Sequence, residues 1–136
     1  MEAIKEGLRD GAIDAIATDH APHHVDEKLQ PFDMAPFGIS GLETALSLSL
    51  QLVREGVLTK KDLVEKMTLN PAKILGLDKG FLKPGSDAEL VVIDENKEFE
   101  VKSERFVSKG KNTPFEGRIL KGMPVFTFCK GKLYEL

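Results

Sequence analysis

Four residues of the kind that carry chemistry fall together near the start of the chain. Asp19, His20, His23 and His24 lie in the run Thr18-Asp19-His20-Ala21-Pro22-His23-His24, which holds all 3 histidines of the sequence. A random spread would rarely gather every histidine there. A carboxylate beside imidazoles can bind a metal ion or move protons near neutral pH. The spacing limits what the cluster does alone. Asp19 and His20 are adjacent, so on a strand their side chains leave opposite faces. His20 and His23 are separated by Pro22, which discourages a regular helix. A zinc centre takes three or four ligands, and this cluster offers one or two with good geometry. It reads as part of a site whose other ligands come from elsewhere. Each residue also has a plainer role open to it. Asp19 could be a turn or N-cap carboxylate, and His20 a hydrogen-bonded support. His23 is either a substrate contact or a loop residue. His24, followed by Asp26, Glu27 and Lys28, fits a solvated loop.

These residues need elements to position them. Residues 4–9 read as the end of a helix closed by Gly11. Residues 12–17, Ala-Ile-Asp-Ala-Ile-Ala, are short and mostly apolar, as expected of a strand buried on both faces in a parallel sheet or barrel. The cluster sits at the C-terminal end of that strand, where α/β folds keep their chemistry. A loop follows over residues 21–39, broken by Pro22, Pro31, Pro36 and Gly38. Loops of that length are functional or disordered.

Ser40-Gly41-Leu42-Glu43 is a capping-box sequence, with Ser40 as N-cap, and it predicts a helix that stops near Gly56. The alternation of Leu46, Leu48, Leu50 and Leu52 inside it predicts burial on nearly all sides. Thr59 and Asp62 open a second helix, and Asn70-Pro71 predicts an N-cap and first helical position for a third, closed by Gly76.

Near residue 78 the pattern changes to short β-rich runs split by Gly and Pro, so the chain divides into residues 1–77 and 78–136. Strands are predicted at 88–93, around Phe99 and Val101, at 118–120 and at 125–129, with Lys130-Gly131-Lys132 turning the last hairpin. Cys129, in an apolar run, is expected to be a small buried residue.

Composition narrows the function classes. The chain has 136 residues, 19 Lys+Arg, 22 Asp+Glu and a net charge of −3, with 41% hydrophobic residues. That supports a folded core rather than disorder. No basic nucleic-acid footprint is present, and Lys and Arg are scattered among acids rather than set along a membrane-surface helix. A single cysteine excludes an internal disulfide. No apolar stretch reaches the ~18 residues of a membrane span. The charged opening residues lack a signal-peptide core, so a cytoplasmic setting is expected. Gly110-Lys111-Asn112-Thr113 lacks the earlier glycine and the following helix of a phosphate loop, and there is no Gly-x-Ser-x-Gly elbow.

Several segments resemble the dihydroorotases of the amidohydrolase superfamily, in the same order. Ile16-Ala17-Thr18-Asp19-His20-Ala21-Pro22-His23 resembles the motif of their last barrel strand. Pro36-Phe37-Gly38-Ile39-Ser40-Gly41-Leu42-Glu43-Thr44 resembles the following loop and helix start. Thr68-Leu69-Asn70-Pro71-Ala72-Lys73 resembles the segment after the barrel, and Gly85-Ser86-Asp87-Ala88-Glu89-Leu90 a strand of the small β domain, where Glu89 replaces a more usual Asp. Ser108-Lys109-Gly110-Lys111-Asn112-Thr113-Pro114-Phe115 resembles a C-terminal signature.

The resemblance implies an α/β fold: the last strand and helices of an amidohydrolase (β/α)8 barrel, followed by β-strands of the small β-sandwich domain. A whole barrel needs about 250 residues, so the expectation is the C-terminal third of such an enzyme. The His-x-His pair, the carboxylated lysine and the middle-strand histidines would lie outside it. By resemblance, Asp19 is a zinc ligand and the catalytic base and acid, His23 contacts the substrate carboxylate, and the backbone at Phe37 and Gly38 binds the pyrimidine ring. The implied reaction interconverts dihydroorotate and N-carbamoyl-aspartate in pyrimidine biosynthesis, with one or two zinc ions in the intact enzyme. Alternatives are a related cyclic-amide hydrolase of the allantoinase or dihydropyrimidinase kind, and a non-catalytic fragment. The 136-residue chain alone is expected to be inactive. A homo-oligomer is expected, because a barrel strand and helices without neighbours expose apolar surface. Association with other enzymes of the pyrimidine pathway is a further expectation.

Overall fold

The structure, a computed structural model, describes residues 1–135. Five helices come first: α1 (Glu2–Asp10), α2 (Val25–Lys28), α3 (Leu42–Arg54), α4 (Lys60–Val64) and α5 (Asn70–Ile74). Three strands follow, β1 (Leu90–Glu100), β2 (Ile119–Cys129) and β3 (Lys132–Glu135), in one antiparallel sheet ordered β1-β2-β3.

Local chemistry explains the helix ends. The left-handed glycines Gly11, Gly56 and Gly76 follow α1, α3 and α5 where expected. Thr59 caps α4 reciprocally with Asp62, its hydroxyl accepting from the Asp62 N–H at 3.1 Å. Asn70 is not an N-cap: α4 and α5 run together through a π turn over Glu65–Leu69, so Asn70 and Pro71 lie within a continuing helix. The extra residue of the π turn leaves Pro71, which has no N–H, without a broken hydrogen bond to answer for.

The core forms where α1, α3 and α4 meet. Leu8, Leu50, Val57, Leu58 and Leu63 are buried together, with Ile13, Ile16, Leu46, Met67 and Ile93 packed against them. The leucine alternation in α3 does not mean burial on all sides. Thr44, Ser47 and Ser49 are buried instead, and Leu46, Leu48 and Leu52 are only half-buried. The small serines let α3 lie close to β2: the Ser47 hydroxyl donates to the Gly122 carbonyl, and Arg54 donates to the Lys121 carbonyl at 3.2 Å.

Residues 12–17 do not form a strand in this structure. A buried parallel strand needs strands on its edges, and the π turn and α5 take its backbone instead. Ile16 N–H donates to the Lys66 carbonyl at 2.9 Å, Asn70 Nδ2 donates to the Asp14 carbonyl at 2.9 Å, and the Lys66 ammonium donates to the Ile13 carbonyl. The one parallel bridge in this region joins His20 to Ile39, just past the expected strand.

In the sheet, the expected separate strands merge. Runs 88–93 and 99–101 become the single β1, bulged between Asp94 and Glu98, and runs 118–120 and 125–129 become β2. Lys130 and Gly131, both at positive φ, turn the hairpin into β3. Cys129 is exposed rather than buried, at the end of β2 where the chain turns into the hairpin. No helix among the described residues is long and apolar enough to cross a membrane.

Candidate active site

The chain bends sharply at Asp19, which sits at φ 44. Few side chains adopt that left-handed conformation, and Asp tolerates it better than most. Such a bend in a non-glycine residue is found where the surroundings impose it, often at functional sites. The Asp19 carboxylate is exposed and makes no hydrogen bond or ion pair among the described residues. It is neither an N-cap nor a turn acceptor.

His20 supports the turn. Its Nδ1 accepts from the N–H groups of Gly41 at 3.0 Å and Leu42 at 3.3 Å. This ring, not Ser40, caps α3, whose N-cap residue is Gly41. An Nδ1 that accepts two N–H groups carries no proton, so Nε2 holds it and faces the Ser108 hydroxyl at 3.4 Å. Ser40 is wholly buried and turns elsewhere, donating to the Gly110 carbonyl at 2.6 Å. The expected reciprocal partner, Glu43, instead accepts from the Ser108 N–H at 2.9 Å. The capping-box pattern thus marks the right helix start, but both its side chains are drawn to residues 108–110.

His23 meets the predicted ring-binding backbone. Its Nε2 donates to the Phe37 carbonyl at 2.9 Å, and its Nδ1 lies 3.5 Å from Glu27. Phe37 is 92% exposed, so its main chain, not its ring, is held. Gly38 follows at φ +113, and a Cβ there would stand 2.4 Å from the Ala21 Cβ. Only glycine fits both that conformation and that approach. Its carbonyl accepts from Asn112 Nδ2 at 3.0 Å and Lys28 Nζ at 3.2 Å. His24 is not a passive loop residue: it caps α2, accepting from the Asp26 N–H at 3.3 Å.

The structure therefore brings His23, Phe37 and Gly38 into one loop cluster, and places Asp19 on an exposed turn one residue before the His20–Ile39 bridge. Reasoning from residue types missed Lys28, Ser108 and Asn112 as supports. Lys28 gave no signal beyond its charge, and Asn112 was visible only through the Asn-Thr-Pro-Phe resemblance. Among the described residues no group of three or more His, Cys, Asp or Glu could hold a metal ion. His20 Nδ1 and His23 Nε2 are engaged with backbone, while the Asp19 carboxylate is exposed. The described residues therefore do not make a complete metal site by themselves.

The chain is similar to known proteins over nearly its whole length. The chain is 58% identical over 133 residues to the dihydroorotase of Geobacter metallireducens, covering 98% of this chain and 31% of that protein. It is 54% identical over 134 residues to the dihydroorotase of Pelotomaculum thermopropionicum, again covering 98% and 31%. Its fold matches the L-hydantoinase (dihydropyrimidinase) of Arthrobacter aurescens with a TM-score of 0.87 and 37% identity, covering 96% of this chain and 30% of that one. The chain spans about a third of the length of the curated relatives it matches. With the amidohydrolase family profile matching residues 1–134, this chain belongs to the amidohydrolase family.

Proposed function

We propose that this chain is part of a dihydroorotase and supplies its proton-transfer carboxylate, Asp19, and part of its substrate cradle, His23 with the backbone at Phe37 and Gly38. The observation that carries the reading is the exposed Asp19 carboxylate on a left-handed turn, four residues before His23, whose ring is bonded to the Phe37 main chain. The identity to dihydroorotases over nearly the whole chain supports the substrate assignment.

In the hydrolytic direction, water adds to the ring carbonyl carbon of dihydroorotate and the carbon–nitrogen bond breaks. Asp19 takes the proton released by the water and gives it to the departing nitrogen, so the carboxylate is regenerated. N-carbamoyl-aspartate results, and the reverse sequence closes the ring with loss of water. His23 binds the substrate carboxylate, and the Phe37–Gly38 main chain orients the ring. Zinc, when bound, supplies the acidification of water to a pKa of about 7, and Asp19 is the ligand this chain would contribute.

In the same reading, residues 1–77 carry the chemistry and residues 78–136 are a second unit whose strands β1, β2 and β3 brace it. The reaction takes place in the cytoplasm. The 136-residue chain alone is inactive, because it offers a single ligand position. Its exposed Leu29, Phe32 and Met34 support self-association, and association with other pyrimidine-pathway enzymes belongs to the same reading.

The likeness to an L-hydantoinase supports a second reading, a hydrolase of other cyclic amides. A substrate panel on the enzyme carrying this segment separates the two. Dihydroorotate is expected to be the preferred substrate over dihydrouracil, hydantoins and allantoin, and preference for any of the latter would overturn the assignment.

A further inference from the structure

Asn112 lies 91 residues from Ala21 and 74 from Gly38, yet its side chain touches both. Its Nδ2 donates to the Gly38 carbonyl at 3.0 Å and to the Ala21 carbonyl at 3.4 Å. With two carbonyls on that side, the nitrogen and not the oxygen must face them. On the main chain, the Ser40 N–H donates to the Asn112 carbonyl at 2.7 Å. The same stretch presses on the turn from beneath: a Cβ at Gly110 would stand 2.5 Å from the Pro22 Cα, so only a glycine lets the two backbones meet. Ala21 is held from its other edge as well, its N–H donating to the Ile39 carbonyl at 2.8 Å. Asn112 therefore ties the residue two before His23 to the residue after Phe37. The Asn112 amide thus adds a second tie beside the direct His23–Phe37 bond, from a distant part of the sequence.

We propose that Asn112 is a positioning residue that sets the width of the His23–Gly38 cradle, and that it governs substrate affinity rather than the proton-transfer step. The inference rests on the dihydroorotase reading for its substrate, but its structural half stands without it. Asn112→Asp keeps the shape and replaces two donors with an acceptor facing two carbonyls. Asn112→Ala removes the amide without introducing repulsion.

Two measurements test the proposal. In the enzyme carrying this segment, Asn112→Ala is expected to raise KM for dihydroorotate about tenfold, with kcat changed by less than about threefold, and Asn112→Asp to raise KM further. An unchanged KM, or a fall in kcat at constant KM, would overturn it. In the 136-residue chain, amide exchange in Asn112→Ala is expected to quicken at His23, Gly38 and Ile39 while Leu50 and Leu63 stay protected. Equal loosening of core and cradle would mean a merely structural role and would also overturn it. If the unmutated enzyme does not turn over dihydroorotate, the dihydroorotase reading fails, while the exchange pattern still judges Asn112.

Discussion

His23 donates to the main-chain carbonyl of Phe37 at 2.9 Å, across 14 residues of sequence. This bond joins the turn after Asp19 to the loop before α3. It makes the cradle one unit rather than two loops that happen to be close. His23→Ala is expected to weaken substrate affinity by about tenfold or more, since the proposed contact to the substrate carboxylate and the loop tie would be lost together. His23→Asn should recover the loop tie in part but not the affinity. Substrate titration with amide exchange at Phe37 and Gly38 distinguishes the two losses.

Gly38 is the least replaceable residue of the loop. Gly38→Ala adds a methyl group 2.4 Å from the Ala21 Cβ at a φ of +113. We expect a loss of about 1–3 kcal/mol in stability, measured by denaturant unfolding. The double variant with Ala21→Gly removes the clash and leaves the conformational cost, so it should recover part of the loss. Full tolerance of Gly38→Ala would mean the loop is free to move.

The strain at Asp19 predicts an opposition between stability and activity. Asp19→Gly relieves the left-handed conformation and is expected to stabilise the fold by up to about 1 kcal/mol while abolishing turnover. Asp19→Val should lose both. Thermal unfolding of the two variants side by side checks the sign, and a destabilised Asp19→Gly would show that the carboxylate itself holds the turn.

The Thr59–Asp62 cap predicts a pH dependence. The Thr59 hydroxyl, then its backbone N–H, hold the Asp62 carboxyl below its ordinary value of 3.8. A depressed folded-state value favours the ionised form. Its contribution to stability is present above the unfolded-state value and is lost as pH falls through the folded one. Between about pH 5 and pH 2, the chain should lose more stability than its Asp62→Asn variant does. Parallel losses in the two proteins would remove Asp62 from the account.

The ends of α1, α3 and α5 and the cluster of ionisable residues are legible because their signals are local, whereas α2 (Val25–Lys28) forms inside the stretch 21–39 read as a loop. Gly11, Gly56 and Gly76 end helices through their own backbone freedom, and the clustering of Asp19 with three histidines needs no tertiary context. What sequence could not show was decided by distant partners. Ser40 and Glu43 have the residue types of a capping box, yet residues 108–110 outcompete the helix for both side chains, and His20 takes over the cap. Residues 12–17 have the composition of a buried strand, but a strand is a property of its neighbours, and here Lys66 and Asn70 supply the backbone partners. Cys129 has the surroundings of a core residue in sequence and an open sheet end in space.

The central claim is that Asp19 carries the proton. The most direct measurement is kcat for dihydroorotate in the enzyme carrying this segment, with Asp19→Asn against the unmutated protein and circular dichroism as the check on folding. Asn keeps the shape and tolerates the left-handed turn but cannot accept the proton. A loss of about a thousandfold or more is expected, with an unchanged spectrum. Turnover within about threefold of the unmutated enzyme, against that predicted loss, would contradict it.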